Sequence, residues 1–219
     1  KVFGEADPEL TYTNSTLVEG NTIEGSLSRA AGESVGTYEV ELGSLNAGAN
    51  YTISFASGTL FTITPAEVEE ITFSAASFTY DGTEQSLEIT GDLPDGTSVE
   101  YTNNGRTGAG THEVTATITG SNFTTLELKA DLTITPATVT VTVDSGQSKV
   151  FGEADPELTY TNSTLVEGNT IEGSLSRATG ESVGTYEIEL GSLTAGDNYT
   201  INYIGADFEI TKATLTITA

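Results

Sequence analysis

Two copies of an acidic turn, Glu5-Ala6-Asp7-Pro8-Glu9 and Glu153-Ala154-Asp155-Pro156-Glu157, are the places in this chain where side chains of one chemical type crowd together. Carboxylates on a turn suit Ca²⁺, which takes six to eight oxygen ligands, and an ion held near a domain junction would stiffen an array. The spacing is not that of a dedicated calcium loop, because no D-x-D-x-D-G run is present and Pro8 serves as ordinary turn punctuation. Glu5, Asp7, Glu9, Glu153, Asp155 and Glu157 therefore stand as calcium candidates, and the sequence calls for no other cofactor. Glu67, Glu69 and Glu70 and the pair Asp92 and Asp95 are weaker candidates, with Asp95-Gly96 more simply a turn.

Other chemistry is scarce. There is one histidine, His112, and no Cys, Met or Trp, so disulfides and thiolate metal sites are excluded, as are most His-based nucleophile or metal arrangements. Internal alignment places His112 where Tyr38 and Tyr186 stand, as a half-buried strand residue in place of an aromatic one. Arg29, Arg106 and Arg177 recur shortly before a Gly-x-aromatic strand. A repeated ligand contact is one reading; the structural one pairs each guanidinium with Glu33, Glu181 or a nearby carbonyl in a chain poor in cations. A Lys–Asn isopeptide cross-link is not expected, since Lys1, Lys129, Lys149 and Lys212 meet no Asn on the closing strands. The N-x-S/T triplets at Asn14, Asn50, Asn122, Asn162 and Asn198 read as turn asparagines. No acid pair sits in a recognisable catalytic setting, so the expectation is a protein that is not an enzyme.

The elements that carry these residues are repeated. Residues 1–53 and 149–201 differ at four positions only, Ala31/Thr179, Val40/Ile188, Asn46/Thr194 and Ala49/Asp197. A duplication at fixed spacing points to modules that each close a small core and meet only their neighbours. Thirty-two acidic against seven basic residues give a net charge of −25, which repels phosphates and anionic lipid surfaces, so neither nucleic acid nor membrane contact is expected of this segment.

Boundary strands recur at 60–66 (LFTITPA), 132–137 (LTITPA) and 208–213 (FEITKA), joined with almost no linker. They divide the chain into 1–65, a repeat lacking its first strand, then 66–136, a divergent repeat, 137–212, a third repeat, and 213–219, the first strand of a following one. Ala137–Val143 alternates strictly, with Val139, Val141 and Val143 on one face, the period of a half-buried strand. Ala213–Ala219 copies it. Further strands are expected around Tyr38-Val40-Leu42, Tyr51-Ile53-Phe55 and Phe61-Ile63. Ser26–Ala31 and Ser174–Thr179 are the only helical candidates, each broken by Gly. The opening inside a repeat, with no signal peptide or membrane span, reads as a piece of something longer. A first repeat with a vacant strand position and a spare strand at 213–219 suggest pairing between chains.

The run FG-E-x-D-P-x-LTYT, then L-x-R-x-x-GE-x-VG-x-Y, L-x-AG-x-NYTI and a closing ITKA, resembles the MBG domains of bacterial surface adhesins, of the YGX type in the first and third repeats. The middle repeat, with TYDG, LPDGT, AGTHEV and LTITPA, is similar to the related YDG-containing variety. Phe3 and Phe151 stand where a Tyr is usual. The resemblance implies an exported, extracellular cell-surface protein with many repeats and no catalytic residues. All-β architecture is expected, as three tandem Ig-like β-sandwich domains in an elongated array, with β-grasp-like units as the alternative. The function expected is that of a structural stalk that projects a distal binding region and whose partners are neighbouring repeats. The alternative is that the repeats themselves bind carbohydrate or protein, through Tyr12, Tyr160 or Tyr203 and the acidic turns.

Overall fold

The computed structural model describes all residues, 1–219, and contains no helix. The segments nearest to helical spacing are short strands instead, Ser28–Arg29 (β1) and its later copy. Strands follow as Gly36–Glu41 (β2), Leu60–Ile63 (β3), Ala76–Thr79 (β4), Thr97–Thr102 (β5), Gly110–Gly120 (β6) and Leu126–Thr135 (β7). Then come Ala137–Val143 (β8), Ser148–Val150 (β9), Tyr160–Asn162 (β10), Ser176–Arg177 (β11), Gly184–Glu189 (β12), Tyr199–Ile204 (β13) and Asp207–Thr211 (β14). Contacts gather the chain into two compact units. One comprises 1–73 with 88–102 and 115–129; the other comprises 74–87, 103–114 and 130–219.

In the second unit, residues 137–211 form two sheets. β8 lies between β10 and β13, antiparallel to the first (Thr161 opposite Thr142) and parallel to the second, from Tyr199 opposite Ala137 to Ile204 opposite Thr142. The other sheet runs β11-β12-β14-β9, with Tyr186 opposite Phe208 and Ile210 opposite Lys149. Apolar residues at alternate positions face one another between the sheets, as a period of two requires. Val141, Val143, Ile188, Phe208 and Ile210 are buried together there, with Leu175 and Leu193. Burial of this kind is worth roughly 1.5–3 kcal/mol for each large side chain and is the main stabilising term.

The first unit holds the near-identical copy with a smaller core, Val40, Phe61 and Ile63. Its sheet is β1-β2-β3, with Tyr38 opposite Phe61. The expected strand at Tyr51-Ile53-Phe55 does not form here, although Tyr199–Ile204 is one. The same is true of Tyr12–Asn14 against Tyr160–Asn162. The residues match almost throughout, so the difference is context: β10 and β13 are each hydrogen-bonded to β8 alone, and nothing stands in the position of β8 in the first copy. A strand without a ladder partner has no backbone bonds to fix it. Consequently Tyr12 is 42% exposed where Tyr160 is half-buried, and Leu45 is half-buried where Leu193 is buried.

The middle repeat supplies the sheet β4-β7-β6-β5. β5 and β6 pair antiparallel with Val99 opposite Ile118, and β4 runs parallel to β7 with Phe78 opposite Ile134.

Candidate functional site

The closing strand of each repeat ends on a threonine, Thr64, Thr135 or Thr211, whose carbonyl accepts the N–H of an aromatic residue, Phe3, Tyr80 or Phe151. This shared bond puts the three repeats in register. In the first and third, the same turn lays an aspartate beside the arginine of β1 or β11, four residues ahead of a glutamate.

Arg29 is the hub of the first cluster. Its Nε donates to Asp7 Oδ2 at 2.6 Å, Nη2 to Asp7 Oδ1 at 3.2 Å and to Glu33 Oε1 at 2.5 Å, and Nη1 to the carbonyls of Ala30 at 3.0 Å and Gly32 at 2.5 Å. Lys1 Nζ closes the ring at 2.6 Å from Asp7 Oδ1 and 2.5 Å from Glu33 Oε2. The third repeat reproduces it: Arg177 holds Asp155 at 2.7 and 3.0 Å and Glu181 at 2.8 Å, and Lys149 lies 2.6 Å from Asp155 and 2.5 Å from Glu181. Each guanidinium rests over two rings, Tyr38 and Phe61 in one copy and Tyr186 and Phe208 in the other, 5.0–5.3 Å from their centroids. The cations are covered and the acids face water, with 8% of the Arg177 side chain exposed against 70% for Glu181.

The electrostatics follow from this geometry. Hydrogen bonds from Arg29, then from Lys1, hold the Asp7 carboxyl at about 2, and Arg177 and Lys149 do the same to Asp155. Glu33 and Glu181 are lowered, chiefly by their lysines. Lys1 and Lys149 are raised, mainly by their aspartates. Two cations and two anions cancel, and the result is a clamp that ties the acidic turn to the loop after β1 or β11.

The calcium candidates are therefore not gathered on one centre. Both oxygens of Asp7 and of Asp155 are taken by cations, Glu5 and Glu153 accept the N–H of Val2 and Val150, and no group of three acidic or histidine side chains converges as an ion would require. Arg106 departs from the other two arginines. Its side chain donates to Asn103, its backbone pairs with Gln85, and its Nε is buried without a partner. His112 is half-buried in β6. The lysine in each clamp was missed from sequence, although its fixed place at the start of both copies was a signal.

A second recurring device was missed as well. Within the first unit, the Val35 N–H donates to Asn122 Oδ1 at 2.8 Å, and Phe3 meets Phe123 edge to face, 5.5 Å between centroids. Within the second, the Ala109 N–H donates to Asn198 Oδ1 at 2.7 Å, and Tyr80 meets Tyr199 edge to face at 5.4 Å. Val35 and Ala109 each precede the glycine that opens a strand, and Asn122-Phe123 and Asn198-Tyr199 align. One repeat thus latches the next through an amide and an aromatic edge, twice over with the same parts. The sequence signal was the Asn-aromatic pair common to all three repeats, which looked like turn punctuation alone.

A family model described as MBG domain (YGX type) matches residues 1–62 and 139–209. No curated protein matches the chain.

Proposed function

The chain belongs to the MBG domain family, YGX type, whose members are modules of surface adhesin-like proteins, and on that premise we propose that it is a spacer segment of an extracellular, cell-surface adhesin. Its modules are the repeats 1–65, 66–136 and 137–212, and their task is to hold a distal binding region at a distance. The observation that carries this reading is the recurrence of one joint, the asparagine latch with its aromatic edge, at both successions of repeats. A joint that reuses the same atoms sets each repeat on the next in one orientation, which is what a spacer needs and a lone binding module does not. Mutual repulsion in a chain of net charge −25 works in the same direction.

Small-angle scattering of the dilute chain tests the proposal. A particle several times longer than wide is expected, and Asn198→Ala is expected to broaden its distribution of lengths by loosening one joint. A compact envelope overturns the spacer. A selective hit for the same chain on a glycan array moves the assignment to the alternative, a repeated carbohydrate-binding module.

A further inference from the structure

Parallel pairing holds the two margins of a repeat. In the third, the chain comes in on β8, which runs parallel to β13 with Ala137 opposite Tyr199, and goes out on β14, which runs parallel to β9 with Thr211 opposite Val150. Only Gly205 and Ala206 separate β13 from β14. Ala137 thus lies beside the first residue of its partner strand, and Thr211 beside the last residue of its own. The Ala137 N–H donates to the Asn198 carbonyl at 2.9 Å, and the Phe151 N–H to the Thr211 carbonyl at 2.9 Å. The middle repeat is built alike: Ala66 lies parallel to Phe123 just ahead of β7, and β4 lies parallel to the far end of β7, Leu132–Thr135. The ionic clamp of the third repeat is fastened to the same strands. Lys149, opposite Ile210 in the β9–β14 ladder, has 4% of its side chain exposed and reaches Asp155 and Glu181, while the Arg177 guanidinium rests on the Phe208 ring of β14.

We propose that the repeat is a tension clamp, in which load along the chain pulls the incoming and outgoing strands past each other in shear, and that Lys149 locks β9 against that sliding. The inference rests on the spacer reading and adds a load to it. Between parallel partners the two points of attachment lie at opposite ends of the pair, so tension runs along the strands and across all the ladder bonds at once. Between antiparallel partners both points would lie at one end, and the bonds would open one after another. The six register pairs of β8 with β13 and the three of β9 with β14 therefore share the load. A slip of β8 by one residue also turns Val139 and Val141, both fully buried, towards the opposite face of their sheet. Sliding β9 along β14 draws Lys149 Nζ from its contacts at 2.6 Å to Asp155 and 2.5 Å to Glu181, and leaves two carboxylates to one guanidinium.

The chain has no cysteine, so a pair of introduced ones fixes where a single full-length molecule is held in optical tweezers. Handles on Thr138→Cys and Lys212→Cys load the third repeat from its incoming to its outgoing strand. Handles on Glu187→Cys and Asp207→Cys, which face each other on antiparallel β12 and β14, peel one ladder from its end. All four positions are exposed. At one loading rate the first geometry is expected to rupture at about twice the force of the second or more, because bonds that share a load fail together. Lys149→Met keeps the apolar stem and is expected to lower the force in the first geometry while leaving the second unchanged. Asp155→Asn, at a side chain 42% exposed, is the milder variant and is expected to shift the first force alone in the same direction. Equal rupture forces in the two geometries overturn the tension clamp. An equal fractional fall in both geometries for these variants makes the quartet a source of stability alone and overturns the lock. Scattering reads length without load, so the spacer reading and this proposal fail separately.

Discussion

Shortening Val141 to alanine probes the claim that β8 organises the third repeat. Val141 is fully buried between β10 and β13 and packs in the core with Ile188, Phe208 and Ile210. Two methyl groups leave, each worth about 0.8 kcal/mol of transfer, and a fully enclosed site adds a cavity term, for a total of about 2–3 kcal/mol. A module of this size is stable by roughly 4–11 kcal/mol at the usual value per residue, so a large part of the margin goes. With a urea dependence of about 1 kcal/mol per molar for so small a unit, the midpoint of the transition that includes residues 137–211 falls by about 2 M. Far-UV circular dichroism at micromolar protein reads it. The control is Ile217→Ala, in the copy of the same strand, where 86% exposure predicts a change within about 0.5 kcal/mol. Equal losses from the two substitutions, or none from Val141→Ala, would refute the assignment of β8 as the strand that closes the core.

Acid is expected to act on the clamps. A carboxyl held at about 2 in the folded chain against an ordinary 3.8 contributes stability that is fully present above pH 4 and lost as pH falls from there towards 2. Asp155→Asn should flatten that part of the third repeat's stability profile, and an unchanged slope would show that the clamp contributes nothing. Arg177→Lys keeps the charge but loses the fork that reaches Asp155 and the carbonyls of Ala178 and Gly180. The melting temperature of that repeat should fall by on the order of 10 °C, read by calorimetry; no fall would mean that an ammonium group serves equally well. Tyr203→Phe removes the hydroxyl that donates to the Ile188 carbonyl at 2.5 Å and should cost about 1 kcal/mol in urea unfolding. The first repeat has Phe55 at this place, so an unchanged midpoint would mean that the third gains nothing from its hydroxyl.

What could be read in the residues was whatever is local. The alternation of Ala137–Val143 fixes a strand because each side chain's face follows from a period of two, and Glu33 lies four residues from Arg29, close enough to be picked as its partner. Asp7 reaches the same arginine across 22 residues and Lys1 reaches Glu33 across 32, distances over which no periodicity speaks. The joint spans 87 and 89 residues, and there the sequence offered only a pair of asparagines that turns would explain equally well. Tyr51-Ile53-Phe55 failed for a different reason. Its alternation is as good as that of its copy, yet a strand is a property of a pair of segments, and the expected partner has no counterpart in the first repeat.

The two clamps also explain how so acidic a chain disposes of its few cations. Seven basic side chains serve the whole chain, and four of them sit in two neutral quartets that bind turns to their own repeats. No surplus of positive charge remains on the clamps to draw in the acidic flank of another copy, so lateral contact between chains meets repulsion almost everywhere. If the excess acid were instead matched by exposed lysines, added salt would weaken contact between chains; with most of the cations held in the clamps, salt is expected instead to relieve repulsion.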